Sequence, residues 1–210
     1  MKKILVAIMA VLFAAPSFAQ YSSGGFSLDG SSVYYGLRLG LNFSGISTDP
    51  DADLGTKTGM TLAGIAGLRL SDTAPVFLES GLYYTQLGAK KDKISHSLNY
   101  LEIPVLIKYG VQVSDDIALL PYVGPYFSYG IGGKVKYPDP TGKVGKHSSF
   151  NKNYYKHPDM GFKIGCGAEY NMLYLELGYK FGVANIAKDP AEIDASAHNH
   201  ALYLNLGVNF

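Results

Sequence analysis

Tryptophan is absent from the 210 residues, cysteine occurs once, and Asp, Glu, Lys and Arg together make up only 17%. A single cysteine, Cys166, excludes a disulfide framework within the chain. Sparse charge combined with 13% aromatic residues excludes an intrinsically disordered chain, which is charge-rich and aromatic-poor. Eighteen basic against 17 acidic residues leave a formal charge of +1. The basic footprint of a nucleic-acid partner is therefore missing. The apolar run 4–15 has twelve residues, short of the ~18 that a membrane-crossing helix needs. What the chain does have is 47% apolar residues, 25 glycines and 17 tyrosines, in a length that suits one domain or two small ones.

The N-terminus reads as an address. Lys2 and Lys3 precede the run 4–15, Pro16 ends it, and Ser17-Phe18-Ala19 offers small residues at the −3 and −1 positions of a cleavage site. This pattern predicts a signal peptide over 1–19, cut after Ala19. No cysteine follows the cut, so no lipid anchor is signalled. The mature chain would carry 16 basic and 17 acidic residues. Residues 20–32 are rich in Gly and Ser and predict a flexible tail.

From there the hydrophobic period is two. Tyr35, Leu37, Leu39, Leu41 and Phe43 share one face, opposite Tyr34, Gly36, Arg38, Gly40 and Asn42. The same alternation predicts strands near 59–70, 76–87, 98–109, 117–132, 160–170, 173–182 and 201–210. Nine charged residues fall inside these runs: Arg38, Arg69, Glu79, Glu102, Lys108, Lys163, Glu169, Glu176 and Lys180. All lie opposite the apolar series, on a face otherwise made of glycine, tyrosine and small polar residues. A soluble sandwich turns its apolar face inward. Here the continuous apolar face suits lipid, and the mixed face suits the filled inside of a narrow barrel.

Length and connections agree. About eleven residues at ~3.3 Å each, tilted by ~40–45°, rise roughly 25 Å, the height of a barrel's apolar band. Long polar segments (45–58, 88–97, 133–159, 183–200) alternate with short ones (71–75, 110–116, 171–172). Tyr35, Tyr109, Tyr170 and Phe210 would ring one rim, and Phe43, Tyr84, Tyr129 and Phe162 the other. The sequence thus predicts an all-β, eight-stranded antiparallel up-and-down transmembrane β-barrel over 33–210, with both chain ends on one side. An interior of this size is just filled by side chains, so it is not a general diffusion pore.

The run Tyr35-Gly-Leu-Arg-Leu-Gly-Leu-Asn-Phe-Ser44 resembles the opening strand of the PorT-like outer-membrane β-barrels of Bacteroidetes type. Asn99-Tyr-Leu-Glu-Ile-Pro-Val-Leu-Ile-Lys-Tyr109 resembles that family's most recognisable strand, and Gly81-Leu-Tyr-Tyr-Thr-Gln-Leu-Gly88 and Leu202-Tyr-Leu-Asn-Leu-Gly-Val-Asn-Phe210 also fit. The resemblance implies the bacterial outer membrane. It also implies recognition of the terminal strand, ending at Phe210, by the barrel-assembly machinery. It carries over no catalytic residue and no cofactor. One type of member serves a protein-secretion system.

Candidate chemistry is thin. Residues 49–53 (Asp-Pro-Asp-Ala-Asp) resemble the start of a calcium loop, but Leu54 and Met60 stand where its Gly and Glu belong. His198 and His200 are two residues apart, an incomplete metal site. Cys166 falls on the apolar face as a small hydrophobe. Segment 133–159 carries Lys134, Lys136, Lys143, Lys146, Lys152 and Lys156 against Asp139 and Asp159, interleaved with Tyr137, Phe150, Tyr154 and Tyr155. Such a loop would attract anionic lipopolysaccharide, surface glycan or a host surface. The expectation is a non-enzymatic outer-membrane protein in contact with lipid, presenting loops for surface binding or serving in a membrane assembly such as a secretion system. A narrow gated channel, an outer-membrane enzyme and a soluble lipid-binding barrel are the other readings.

Overall fold

Alternation places successive side chains on opposite faces of a strand, and this chain sustains it almost throughout. The computed structural model describes residues 33–49, 54–71, 73–91, 94–138, 144–150, 155–188 and 196–210. The predicted leader 1–19, the tail 20–32, residues 50–53 of the acidic segment, Lys143 and Lys152 lie outside the described residues, as does the side chain of Lys146.

The described strands are β1 Val33–Asp49, β2 Gly55–Arg69, β3 Val76–Lys91, β4 Ile94–Tyr109, β5 Val111–Ser114, β6 Ile117–Gly132, β7 Lys134–Pro138, β8 Val144–Ser148, β9 Pro158–Tyr170, β10 Leu173–Gly182 and β11 Ser196–Asn209. Eight of them close a ring in the order β1-β2-β3-β4-β6-β9-β10-β11, every pair antiparallel. β11 pairs back onto β1 in unbroken register from Gly36↔Asn209 to Asp49↔Ser196. Tyr35 and Phe210 exchange both backbone hydrogen bonds at 2.9 Å. Closure leaves no strand edge in the ring, the condition for standing in hydrocarbon. β5 is a short strand beside β6, and β7–β8 is a hairpin added to the far part of β4.

The phase is apolar outward. Leu175 and Leu177 are 45% and 53% exposed, while Glu176 between them is 0% exposed. Leu39, Leu62, Leu82, Ile103, Ile107, Val123, Ile164 and Leu206 join the same outer belt. Tyr35, Tyr109, Tyr170 and Phe210 are exposed around the end that carries the described termini; Phe43, Tyr129 and Phe162 are exposed nearer the loop end, with Tyr84 half-buried.

At the loop end the strands run further than the alternation suggested. β3 and β4 reach Lys91 and Ile94, so the expected long connection 88–97 is mostly hairpin. β1 and β2 likewise occupy much of 45–58, β11 enters 183–200 at Ser196, and β7–β8 lies within 133–159. The cause is a change of phase. Above the belt the outward residues turn polar (Ser47, Thr56, Thr58, Ser95, Ser97) and the inward ones apolar (Ile46, Leu87, Ala89, Leu98, Ala197). A search for apolar-outward alternation stops where that inversion begins. At the other end, β9 and β10 join through a two-residue turn whose Asn171 has φ 54°, the left-handed geometry that tight hairpins need.

Candidate functional site

Inside the ring, tyrosines and charges fill the space that glycines leave. A Cβ at Gly167 would collide with the Tyr174 ring, one at Gly178 with Tyr203, and one at Gly67 with Tyr34. The small residues on the charged face therefore make room for rings on neighbouring strands. Into this frame come eight of the nine charged residues, each no more than 3% exposed: Arg38, Glu79, Glu102, Lys108, Lys163, Glu169, Glu176 and Lys180. Arg69 is only half-buried at the terminal end, where Nε donates to Ser71 O (2.7 Å) and the guanidinium stands 5.9 Å from the Phe77 ring centroid.

The buried charges form two cells with one design. In the first, Glu79 accepts Lys108 (2.8 Å) and faces Arg38 (3.6 Å), and Tyr34 donates to it (2.9 Å). Arg38 lies 4.0 Å over the Tyr174 ring. In the second, Glu102 takes Lys163 on one oxygen (2.9 Å) and Lys180 on the other. Lys163 faces the Tyr83 and Tyr203 rings and Lys180 the Tyr126 ring. One carboxylate shared by two cations, with tyrosine faces on their other sides, supplies the partners that buried charge requires. Glu176 and Glu169 are held mainly by uncharged donors, with Glu176 close enough to Arg38 and Lys163 to interact with both cells. Glu176 accepts Tyr122 Oη (2.8 Å), which is also 2.8 Å from Tyr203 Oη, and Glu169 accepts Asn209 Nδ2 (2.6 Å). Asp159, expected among the loop lysines, is instead 2% exposed inside β9 and accepts Asn199 Nδ2 (2.9 Å). It shares parity with Lys163, so the alternation carried a signal for it.

The loop end of the interior holds an apolar plug that the sequence reading missed. Ile46, Leu87, Leu98, Tyr100, Val135, Phe150, Tyr155 and Ile186 form one buried cluster. Phe150 and Tyr155, expected to alternate with lysines at the surface, are 8% exposed and point into it. Phe150 stacks on His157 (4.9 Å) and meets Tyr100 edge-on (5.6 Å). Tyr155 Oη lies 3.0 Å from His96 Nδ1, and burial pushes its phenol up to about 12. Backbone bonds Lys156 N to Ile186 O (2.7 Å) and Ile186 N to Ala197 O (2.9 Å) bind the crossing segments.

The remaining predicted residues that are described fall on the outside. Lys134 and Lys136 are exposed on β7, flanking buried Val135, and Lys156 is half-buried. Lys57, which the sequence reading did not single out, donates to His96 O (3.0 Å) and Ser97 Oγ. Burial and the neighbouring Lys136 draw its ammonium below the usual lysine value. Burial, then Lys57, lower His96 in the same way. His200 lies 3.2 Å from Ser47 Oγ on the outer wall, lowered by burial. Among the described residues no group of three or more His, Cys, Asp or Glu is placed to hold a metal.

Comparison with known proteins bears on this arrangement. The family model described as "Outer membrane protein beta-barrel domain" matches residues 5–210. Among solved structures, a major outer membrane protein from Thermus thermophilus aligns with a TM-score of 0.52 at 16% identity, covering 86% of this chain and 100% of that one. Neisserial surface protein A aligns at 0.47 and 16% identity, covering 86% and 98%. OprG from Pseudomonas aeruginosa aligns at 0.46 and 11% identity, covering 88% and 99%. No curated protein matches the chain.

Proposed function

Because the chain belongs to the outer membrane protein β-barrel domain family, we propose that it works as a non-enzymatic scaffold of the bacterial outer membrane, a closed barrel that presents its loop-end hairpins for binding at the cell surface. The observation that carries this reading is the occupied interior. Two carboxylate-centred ion cells and the apolar plug fill successive levels of the lumen, which leaves the loop end as the working surface. Export through a signal peptide cut after Ala19, and assembly through the strand ending at Phe210, belong to the same proposal. Charges inside and aliphatic residues outside are the reverse of what a soluble lipid carrier needs.

Two measurements test it. The refolded chain in a planar bilayer is expected to be electrically silent; steady conductance would overturn the scaffold reading in favour of a channel. The pair Lys134→Cys with Cys166→Ser, expressed in cells, is expected to react with a membrane-impermeant maleimide. Protection in intact cells with labelling after lysis would put the hairpins on the wrong side. A second reading, part of a PorT-like secretion assembly, is favoured by the strand 99–109. It predicts that crosslinks from segment 133–159 reach a secretion protein instead of surface polysaccharide.

A further inference from the structure

We propose that a cavity of about 290 Å³ in the loop-end wall of β2, β3 and β4, beside β7, holds the phosphate headgroup of a membrane lipid. It is lined by Lys57, Thr58, Gln86, Ser97, Asn99, Lys134 and Lys136, with Gly59, Leu87 and Gly133 completing it. This reading depends on the barrel standing in a membrane, not on what its hairpins bind.

Three observations support it. The first is how the cavity arises. The β2–β3 ladder is broken between Thr56↔Ala89 and Thr61↔Thr85, a register shift that leaves Lys57, Thr58, Gly59 and Met60 without partners in that ladder. At the break Gly88 lacks the side chain that would strike His96 O, and the Lys57 stem passes over it. The opening is thus built into the wall. At ~30 Å³ per water it has room for a hydrated headgroup.

The second is charge. Three ammonium groups line the cavity and no carboxylate does. Among the described residues no salt bridge engages Lys57, Lys134 or Lys136. Lys57 is oriented by His96 O and Ser97 Oγ, and Lys136 is near enough to oppose its charge. Like charges held together without a counter-ion are unfavourable until an anion enters. Ser97, Thr58 and Asn99 add uncharged donors that a phosphate accepts.

The third is height. Three polar wall residues are each two positions from a member of the outer belt on their own strand: Thr58 from Met60, Gln86 from Tyr84 and Asn99 from Leu101; Gly133 follows two residues after Ile131, the last belt residue of β6. Met60 and Ile131 are 53% and 51% exposed. The cavity mouth therefore meets the upper margin of the apolar belt, where headgroups sit. Acyl chains of the same molecule would lie along Met60, Leu101 and Ile131. A soluble anion would gain nothing from that belt, which is why the occupant is assigned as lipid.

The test uses the full chain reconstituted in phosphatidylcholine vesicles containing a minor fraction of phosphatidic acid, then extracted and weighed with its retained lipid by native mass spectrometry. Phosphatidic acid is expected to be retained over phosphatidylcholine by roughly tenfold, about 1.4 kcal/mol. Lys134→Ala with Lys136→Ala should abolish most of that preference, and Lys134→Arg with Lys136→Arg should keep it. Asn99→Asp, which changes charge at nearly constant volume, should lower it independently. Equal retention of the two lipids by the unaltered chain, or an unchanged preference in the Ala pair, would overturn the proposal. Full displacement of phosphatidic acid by millimolar glucose 6-phosphate would overturn the lipid assignment in favour of a soluble anion. None of these outcomes alters bilayer conductance or surface labelling, so this inference and the scaffold reading fail separately.

Discussion

Glu102 is 0% exposed and is the only carboxylate that Lys163 and Lys180 reach in the described ion pairs. Glu102→Ala strands two ammonium groups in the lumen and is expected to cost about 3–5 kcal/mol. Urea unfolding in vesicles, followed by tyrosine fluorescence, measures it. Val105, midway along β4 between Leu101 and Tyr109, looks outward, and Val105→Arg should cost roughly 2–4 kcal/mol for a different reason, a charge forced into lipid. Glu176→Gln should be much milder than Glu102→Ala. Glu176 has Tyr122 and Asn205 as its partners, and an amide oxygen still accepts from both. Equal losses at 102 and 176 would contradict the two-cell description. The inward face of all these residues was legible, because a period of two fixes parity. Their partners were not: Glu102 and Lys163 lie on β4 and β9 with β6 between them, and which residues meet across a lumen depends on strand tilt and stagger, not on spacing.

At the scale of elements, the loop-end hairpins behave like a small soluble barrel seated on a membrane one. Their interior is apolar and their outer wall polar, the inverse of the belt below. That inversion explains why strand ends and the plug escaped the sequence reading while the eight spans did not. It also makes the hairpins the pH-sensitive part. His96 on β4 touches Tyr155, its backbone carbonyl accepts Lys57, and burial and that lysine hold it below the usual histidine value. The unfolded chain therefore binds a proton at higher pH than the folded one. The hairpin's stability is complete above ~6.5, falls as the pH descends from there toward the lowered folded value, and levels off beneath it. Hydrogen exchange of the β4–β7 amides, corrected for intrinsic rate, should accelerate as the pH falls from about 7.5 to about 5, the range that brackets an unperturbed histidine. His96→Gln should remove most of that dependence. Pairing that loosens equally throughout the ring would point to a global cause instead.

For the molecule as a whole, the proposed scaffold implies a lumen occluded by two barriers in series. The lower one is the tyrosine and ion-pair filling, whose middle is bridged by Tyr122 and Tyr203 with hydroxyls 2.8 Å apart. The upper one is the plug, in which Phe150 covers Tyr100 and Ile186 is 0% exposed. Ions must pass both, so removing either alone leaves the other resistance in place. Tyr122→Ala with Tyr203→Ala opens a void beside Glu176 and Lys163, polar enough to fill with water, yet the plug still closes the mouth. Phe150→Ala with Tyr155→Ala loosens the mouth, yet the filled barrel lies beneath. Each pair is expected to stay silent in a planar bilayer, and the four substitutions together are expected to conduct. The heat-dependent gel shift of folded barrels serves as the control that each variant is closed. Conductance from the plug variant alone would mean that the lower filling is permeable, and that the interior gates a channel instead of bracing a scaffold.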